Sequence, residues 1–560
     1  MSNEIQLKSV SWERIYLRLV IGPSGQDQTK RQEGALAVFL ADATTGRCCG
    51  RAQTKALSDG SVEAVWNVTN RGDERCLAPG AYRFALTDND RFVGYLRADQ
   101  ALSDSDAEGK DAPAVLDREF RYQKTGSYRV ELSGSKDGEL VVRILQKSPA
   151  GGMKGAASKS KKKLLTAYYL MQKKRYAIHA ESRKKTVLFL TEQAEQLGDN
   201  LTAVYEKLRA RGDGYRLLTS CRSIRTKAYG KKSTLRLLSL MAQSGVIVID
   251  DHVPILDWLM LGEDTKLIQL WHAGVGFKAT GYSRWGHSGA VGPVSCHRQI
   301  SLATVSSLQI RRIFSELWGI DDARVIPCGI PRMDAFLDPE IAAVTKERLL
   351  QRYPICKGKK VILLAPTYRG RSKKDAHYPF EKIDFPALRD AADRQGYIVL
   401  CKMHPWVKET GYVPKECQDV ILETDPDASI NDLFLITDLL ITDYSSNLFE
   451  FSVLQRPMLF YAFDEEEYGR DRGFHRPYRE NAPGKVVSSF SQLLSAIETE
   501  DFEAEKLTEY VKRHFDHPDT GACDRVIDWL IEGRMPDAYR DALTLYQEET
   551  DRWKRMRFPV

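Results

Sequence analysis

Apolar and polar positions follow two different regimes along the chain. Up to residue 147 the apolar residues come in short runs: "RIYLRLVIG", "ALAVFLAD", "SVEAVWNVT", "GAYRFALTD", "RFVGYLRA", "SYRVELSG" and "LVVRILQ". Gly, Asp and Asn clusters separate them. Short strands at this rhythm, with no helical period between them, predict an all-β accessory domain over 1–147, a sandwich or barrel. Residues 148–165 open with "SPAGGMKGAASKSKKK", a composition that reads as a basic linker. From 186 the runs are continuous: "TVLFLT", "VIVID", "LIQLW" and "RVIPCG", then "KVILLAPT", "YIVLCKMHP", "VILET", "LLITDYSS" and "PMLFYAF". Uninterrupted apolar strands alternating with helices predict parallel sheets covered on both faces. Two such series predict two Rossmann-like α/β domains facing each other across a cleft, 166–335 and 336–540, with a helical tail at 541–560.

Composition narrows the class. Hydrophobic residues make up 42% and charged residues 28% of 560, so the chain can build real cores. A net charge of +6 is too small for a chain that binds nucleic acid throughout. The charge is concentrated instead. Residues 154–185 carry eleven Lys or Arg against one acid, Glu181, interleaved with Leu164, Leu165, Tyr168, Tyr169, Leu170 and Met171. Such a segment can rest on an anionic membrane surface. No run of about 18 apolar residues occurs, so no spanning helix is expected. Ten scattered cysteines without a CxxC pair, and no secretory leader, read as reduced thiols in the cytosol, with no zinc site.

Open parallel sheets bind ligands beyond the carboxyl ends of their strands. After 267–271 come His272, Gly274, Gly276 and Lys278. Thr367, Arg369 and Arg371 follow 360–366, His404 follows 397–403, and Asp443, Ser445 and Ser446 follow 439–442. Two histidines, several cations and a Ser-rich helix start suit an anionic phosphate substrate and one proton transfer. The serines alone could be simple caps, and either histidine alone a structural residue; their convergence on one cleft is the signal. There is no Walker loop, nucleophile elbow or kinase signature, which lowers those classes.

The set "LWHAGVGFKATGYS", "VIPCGIPRMDAF", "LLAPTYRG", "KMHP", "ITDYSSNLFEF" and "YGRDRGFHRPYRENAPGKVV" resembles, in this order over roughly 165–535, the CDP-glycerol glycerophosphotransferase family of teichoic acid primases and polymerases. The resemblance implies a GT-B fold, with 166–335 the membrane-proximal acceptor side and 336–540 binding the CDP donor. It implies transfer of glycerol phosphate or ribitol phosphate to a hydroxyl of a lipid-linked acceptor, releasing CMP, at the cytoplasmic face of the membrane. No cofactor and no catalytic metal are implied. His272 matches the family's base and His404 its second histidine. Thr367, Arg369, Asp443, Ser445, Ser446 and Arg472 match the donor side, while Gly274, Gly276 and Lys278 fall on the acceptor side. Two features depart from the family pattern. The usual Gly-Thr-Pro-Leu-Lys is replaced by Ala273 to Lys278, which shifts the lysine's register, and His475 stands where aromatic residues are more usual. The β-rich N-terminal domain, missing from minimal members, points toward a polymerase or capsule-type enzyme. A nucleotide-sugar glycosyltransferase and a non-catalytic envelope scaffold are the alternatives, and the polyol, the acceptor and a homo-oligomeric state are open.

Overall fold

The computed structural model describes residues 5–23, 36–98, 116–123, 125–149, 154–224, 226–287, 289–370 and 373–560, with side chains between 154 and 158 excepted. Arg371 lies outside the described residues. The N-terminal region folds as two antiparallel sheets. One has the order Ile5–Glu13, Tyr16–Pro23, Val62–Asn67, Gln53–Ala56. The other runs Cys48–Arg51, Leu36–Asp42, Gly80–Asp88, Leu140–Lys147, Gly126–Gly134, Arg118–Tyr122, with Arg91–Tyr95 beside Gly80–Asp88. Strand alternation explains the packing: in Gly126–Gly134, Tyr128, Val130 and Leu132 are buried while Arg129 is exposed. Both sheets feed one core around Leu17, Leu19, Trp66 and Phe84.

That core takes in residues from far along the chain. Tyr282, Trp285 and Ala290 are buried in it. The Trp285 ring stacks on Tyr122 at 5.9 Å and meets Tyr128 at 5.2 Å. The β-domain therefore holds part of the loop that follows His272.

Two six-stranded parallel sheets follow. The first has the order Arg216–Cys221, Thr186–Thr191, Val246–Ile249, Lys266–Gln269, Leu302–Thr304, Val325–Ile326. The second runs Ile421–Glu423, Tyr397–Cys401, Lys360–Leu364, Leu439–Thr442, Met458–Tyr461, Lys485–Val487. Their central strands are apolar throughout because helices cover both faces; every residue of Thr186–Thr191 and of Val246–Ile249 is buried. In the second sheet the strand order reverses between Lys360–Leu364 and Leu439–Thr442, which opens a crevice at their carboxyl ends.

Three boundaries differ from the sequence reading. Residues 154–165 are not linker: they begin the helix Lys154–Ala177. Lys, Ala and Leu are good helix formers, and Tyr169 anchors the helix through a hydroxyl bond to the Leu261 carbonyl at 3.2 Å. Residues 522–535 return to the first sheet, where Val526, Ile527 and Leu530 pack on Val187, Phe189 and Ile268. The last helix, Asp537–Arg555, starts before 541 and leads back to the β-domain, where Phe558 meets Phe39 at 6.0 Å and Phe92 at 5.6 Å.

Candidate active site

The strand Lys266–Gln269 ends three residues before His272. Between them Trp271 adopts φ +58°, a left-handed conformation that costs a side-chain-bearing residue about 1 kcal/mol. Two bonds hold it: Trp271 N–H donates to Gln269 Oε1 at 2.9 Å, and Asn200 Nδ2 donates to the Trp271 carbonyl at 2.8 Å. The turn sets His272 Nδ1 at 3.1 Å from the Asp250 carbonyl and 3.7 Å from Asp251 Oδ2. A carbonyl only accepts, so this contact assigns the proton of the neutral ring to Nδ1 and leaves a lone pair on Nε2. The side chain is half exposed. Beneath it Asp250 is buried, and burial pushes its carboxyl up to about 6.

Arg332, at the end of the first domain, ties this loop to the opposite domain. Arg332 Nη1 donates to the His272 carbonyl at 2.8 Å, its backbone N–H donates to Asn200 Oδ1 at 3.0 Å, and its guanidinium pairs with buried Glu450. Glu450 lies on the helix Asn447–Ser452, which Ser446 precedes. Residues 473–475 form a strap across the cleft. Ala279 N–H donates to the Gly473 carbonyl at 2.9 Å, and His475 N–H to the Phe277 carbonyl at 3.0 Å. His475 Nε2 bonds the Gly276 carbonyl at 2.8 Å.

In the second domain the crevice is built around Asp443, which is fully buried. Its Oδ1 accepts from Thr367 N–H at 2.7 Å and Tyr444 N–H at 2.6 Å, and its Oδ2 accepts from Arg369 Nη1 at 3.0 Å. Arg369 also grips Asp464 with two bonds, at 2.6 and 2.9 Å, and bonds the Thr367 carbonyl at 2.6 Å. Its charge is thus met by two carboxylates. Arg472 bonds the Gly370 carbonyl and lies over the Tyr368 ring. His404 packs against Tyr368 in a tilted contact with ring centroids 4.6 Å apart, and its Nδ1 accepts from Trp406 N–H at 3.1 Å. Its neutral ring therefore carries the proton on Nε2, the reverse of His272. Burial, with Lys278 and Lys402 nearby, pushes its value down to about 4. Lys278 is part-buried in the same neighbourhood. Burial, reinforced by Arg472, Arg369 and Arg284 and opposed by Asp443, pushes its ammonium down to about 8.

A cavity of about 1440 Å³ opens beside the Arg369–Asp464 pair, between Arg284 and His287 on one side and Arg470 and Arg472 on the other. Neither His272 nor His404 lines it. A separate cluster, His252, Asp257 and Cys296, brings metal-ligand types within 4.8 Å of one another. There His252 Nε2 bonds Asp257 Oδ1 at 2.8 Å. Burial opposes the imidazolium, but hydrogen bonds to Asp257 and Cys296 prevail and push it up to about 10. The cluster is a charged His–Asp pair.

With this geometry in view, known proteins narrow the identity. The model of the CDP-glycerol:poly(glycerophosphate) glycerophosphotransferase family matches residues 172–532. The chain belongs to this family. It is 37% identical over 352 residues to the teichoic acid ribitol-phosphate polymerase TarK of Staphylococcus aureus, covering 62% of this chain and 69% of the relative. It is 38% identical over 354 residues to the teichoic acid poly(ribitol-phosphate) polymerase of Bacillus spizizenii, covering 62% of this chain but only 56% of that protein. A solved structure of the wall teichoic acid polymerase TagF superposes with a TM-score of 0.52 at 20% identity, covering 69% of this chain and 99% of that one. That likeness shows the fold alone. The polyol-phosphate transferase class read from sequence agrees with family membership.

Within this glycerophosphotransferase-family chain, the residues singled out from sequence divide by role. His272, Lys278, His404, Ser445, Ser446 and Arg472 keep groups that a substrate could meet. Arg369, expected to fork onto phosphate, is instead committed to Asp443, Asp464 and the Thr367 carbonyl. Thr367 and Asp443 are buried structural partners of that arginine. Gly274 and Gly276 do not clear space for an acceptor. A Cβ at Gly274 would collide with the Phe449 ring, so this glycine lets the second domain approach, whereas one at Gly276 would make ordinary contact 3.4 Å from the Ser446 Cα. Ser446 occupies the helix N-cap without a side-chain cap bond, while Ser445 Oγ accepts from Asn447 N–H at 3.3 Å. The sequence reading missed Asp250, Asp251, Arg332 and Glu450. The acid pair ending "VIVIDD" sits at a strand end and was the one signal available for two of them.

Proposed function

We propose that this chain transfers ribitol phosphate from CDP-ribitol to a terminal hydroxyl of a lipid-linked teichoic acid-type polymer, releasing CMP, within a GT-B arrangement of its two parallel-sheet domains. The observation that carries the reading is the tautomer of His272: Nδ1–H held by the Asp250 carbonyl leaves Nε2 as a base at the cleft. The acceptor hydroxyl gives its proton to Nε2 as its oxygen forms a bond to the ribitol-bearing phosphorus. The bond from that phosphorus to the CMP oxygen breaks. Asp251 offsets the imidazolium charge. Lys278 and the neutral Nε2–H of His404 face the charge that builds on the diphosphate. No resident cofactor enters this reading.

Ribitol is favoured over glycerol because both polymerases reported above are named for ribitol phosphate. A TagF structure containing CDPG supports the CDP-polyol class of donor. Attachment to the cytoplasmic face of the membrane is supported by the helix Lys154–Ala177 and the residues just after it. Leu164, Leu170, Met171 and Ile178 are exposed there among lysines. Among the described residues no helix is long and apolar enough to cross a membrane.

The test is CMP release by the purified protein with CDP-ribitol or CDP-glycerol, with and without a lipid-linked acceptor. Acceptor-dependent CMP from CDP-ribitol supports the reading. CMP from CDP-glycerol alone reassigns the polyol, and CMP from neither overturns the activity.

A further inference from the structure

A second cavity, of about 540 Å³, lies where the β-domain, the helix Arg311–Trp318 and the region beyond the strap meet. Five cationic side chains and three carboxylates line it. The larger cavity beside Arg369 differs in that its Lys and Arg are matched by as many Asp and Glu. The three carboxylates of the smaller cavity are already engaged. Glu316 takes two bonds from Arg14, at 2.5 and 2.9 Å, and one from the Tyr16 hydroxyl at 2.8 Å. Arg18 holds Glu13 and Glu63, each at 2.8 Å. Lys55, Arg312 and Arg513 remain, each exposed, and among the described residues none pairs with a carboxylate. They come from three separate parts of the fold. Among the described residues the Arg312 guanidinium bonds the Gln53 side chain at 2.9 Å and lies over the Tyr16 ring at 5.8 Å.

The cavity also reaches the catalytic loop. His475 lines it and bonds the Gly276 carbonyl, four residues after His272. Its other ring nitrogen, Nδ1, is buried with no partner. Arg14, at the tip of the two-residue turn between Glu13 and Tyr16, has φ +51°, as such hairpin turns require, and reaches across the cavity to Glu316.

We propose that this cavity is a second anion site that holds phosphate groups of the growing polyol-phosphate chain beside the catalytic loop. Unpaired cations spread over three elements suit a flexible polyanion with regularly spaced phosphates, because each repeat finds a charge without a fixed register. The inference rests on the proposed transferase activity, and it also names the work of the β-domain: Arg14, Arg18 and Lys55 belong to it.

The test compares wild type with a Lys55→Glu/Arg312→Glu/Arg513→Glu variant whose thermal unfolding matches wild type. Binding of soluble poly(ribitol phosphate) oligomers of ten or more units is measured at two salt concentrations, without CDP donor. The site predicts at least about tenfold weaker binding for the variant and a shallower salt dependence. In turnover, KM for the long acceptor rises by a similar factor, far more than KM for a one-unit acceptor. Equal affinity, or equal KM changes for both acceptors, overturns the site. Because the binding arm needs no turnover, loss of the proposed activity and loss of this site are told apart. Arg14→Ala with Glu316→Ala gives a second variant that disturbs the cavity wall without reversing charge, and it is expected to weaken long-oligomer binding as well.

Discussion

Arg332 Nη1 donates to the carbonyl oxygen of His272 at 2.8 Å while the same guanidinium pairs with Glu450 of the opposite domain. One side chain therefore holds the proposed base and the two halves of the cleft together. Arg332→Met leaves Glu450 buried and unpaired, a change that costs about 3–5 kcal/mol. Adding Glu450→Met removes the stranded charge and is expected to recover most of the melting temperature. Turnover is not expected to recover, because the His272 carbonyl still lacks its donor and a small misplacement of a base costs about 100-fold. Thermal unfolding and CMP release of the single and double variants check this.

In the proposed reaction Lys278 sets an alkaline limit. Its value of about 8, below the ordinary 10.5, means that it is an ammonium below that pH and neutral above it. KM for the CDP donor should therefore rise as pH passes about 8. Lys278→Met should show a raised KM already at pH 7 and no further rise, measured as donor titrations from pH 6.5 to 9.

In the proposed reaction His404 is a neutral hydrogen-bond donor. A glutamine can place an amide N–H near the same point, so His404→Gln should retain about tenfold more turnover than His404→Ala, the worth of one hydrogen bond to a charged oxygen. Equal loss in both variants, with both folded, would argue for a different role.

Two buried histidines, His297 and His514, and two part-buried ones, His404 and His475, make the fold acid-sensitive. Burial pushes His297, His475 and His514 down to about 3, and His404 to about 4. Between those values and the ordinary 6.5 the unfolded chain binds protons that the folded chain does not. Their contribution is fully present above about pH 6.5 and is lost as pH falls through their folded values. Asp250 and Asp321, each raised to about 6 by burial, and His252, raised to about 10, work in the opposite direction, three groups against four. The melting temperature is expected to be lower at pH 4.5 than at pH 7.

Much of this architecture is legible in the chain. The apolar runs place both parallel sheets, and a histidine directly after "LIQLW" marks the cleft. Other features are long-range contacts that no local pattern encodes. Arg369 looks like a phosphate ligand until Asp443 and Asp464, 74 and 95 residues away, take its donors. Gly274 falls on the acceptor side by resemblance, but the Phe449 ring of the opposite domain packs against it. The amphipathic segment 522–535 does not say which sheet it covers. Trp285 reads as part of the first α/β domain, yet it is buried in the β-domain's core because the aromatic rings of Phe120, Tyr122 and Tyr128 surround it.

The most direct test of the central claim is acceptor-dependent CMP release from CDP-ribitol by wild type and His272→Ala, on protein whose unfolding transitions coincide. General-base removal predicts a turnover loss of about 100- to 10,000-fold in the variant. A folded His272→Ala protein that turns over near the wild-type rate would contradict the assignment of His272 as the base.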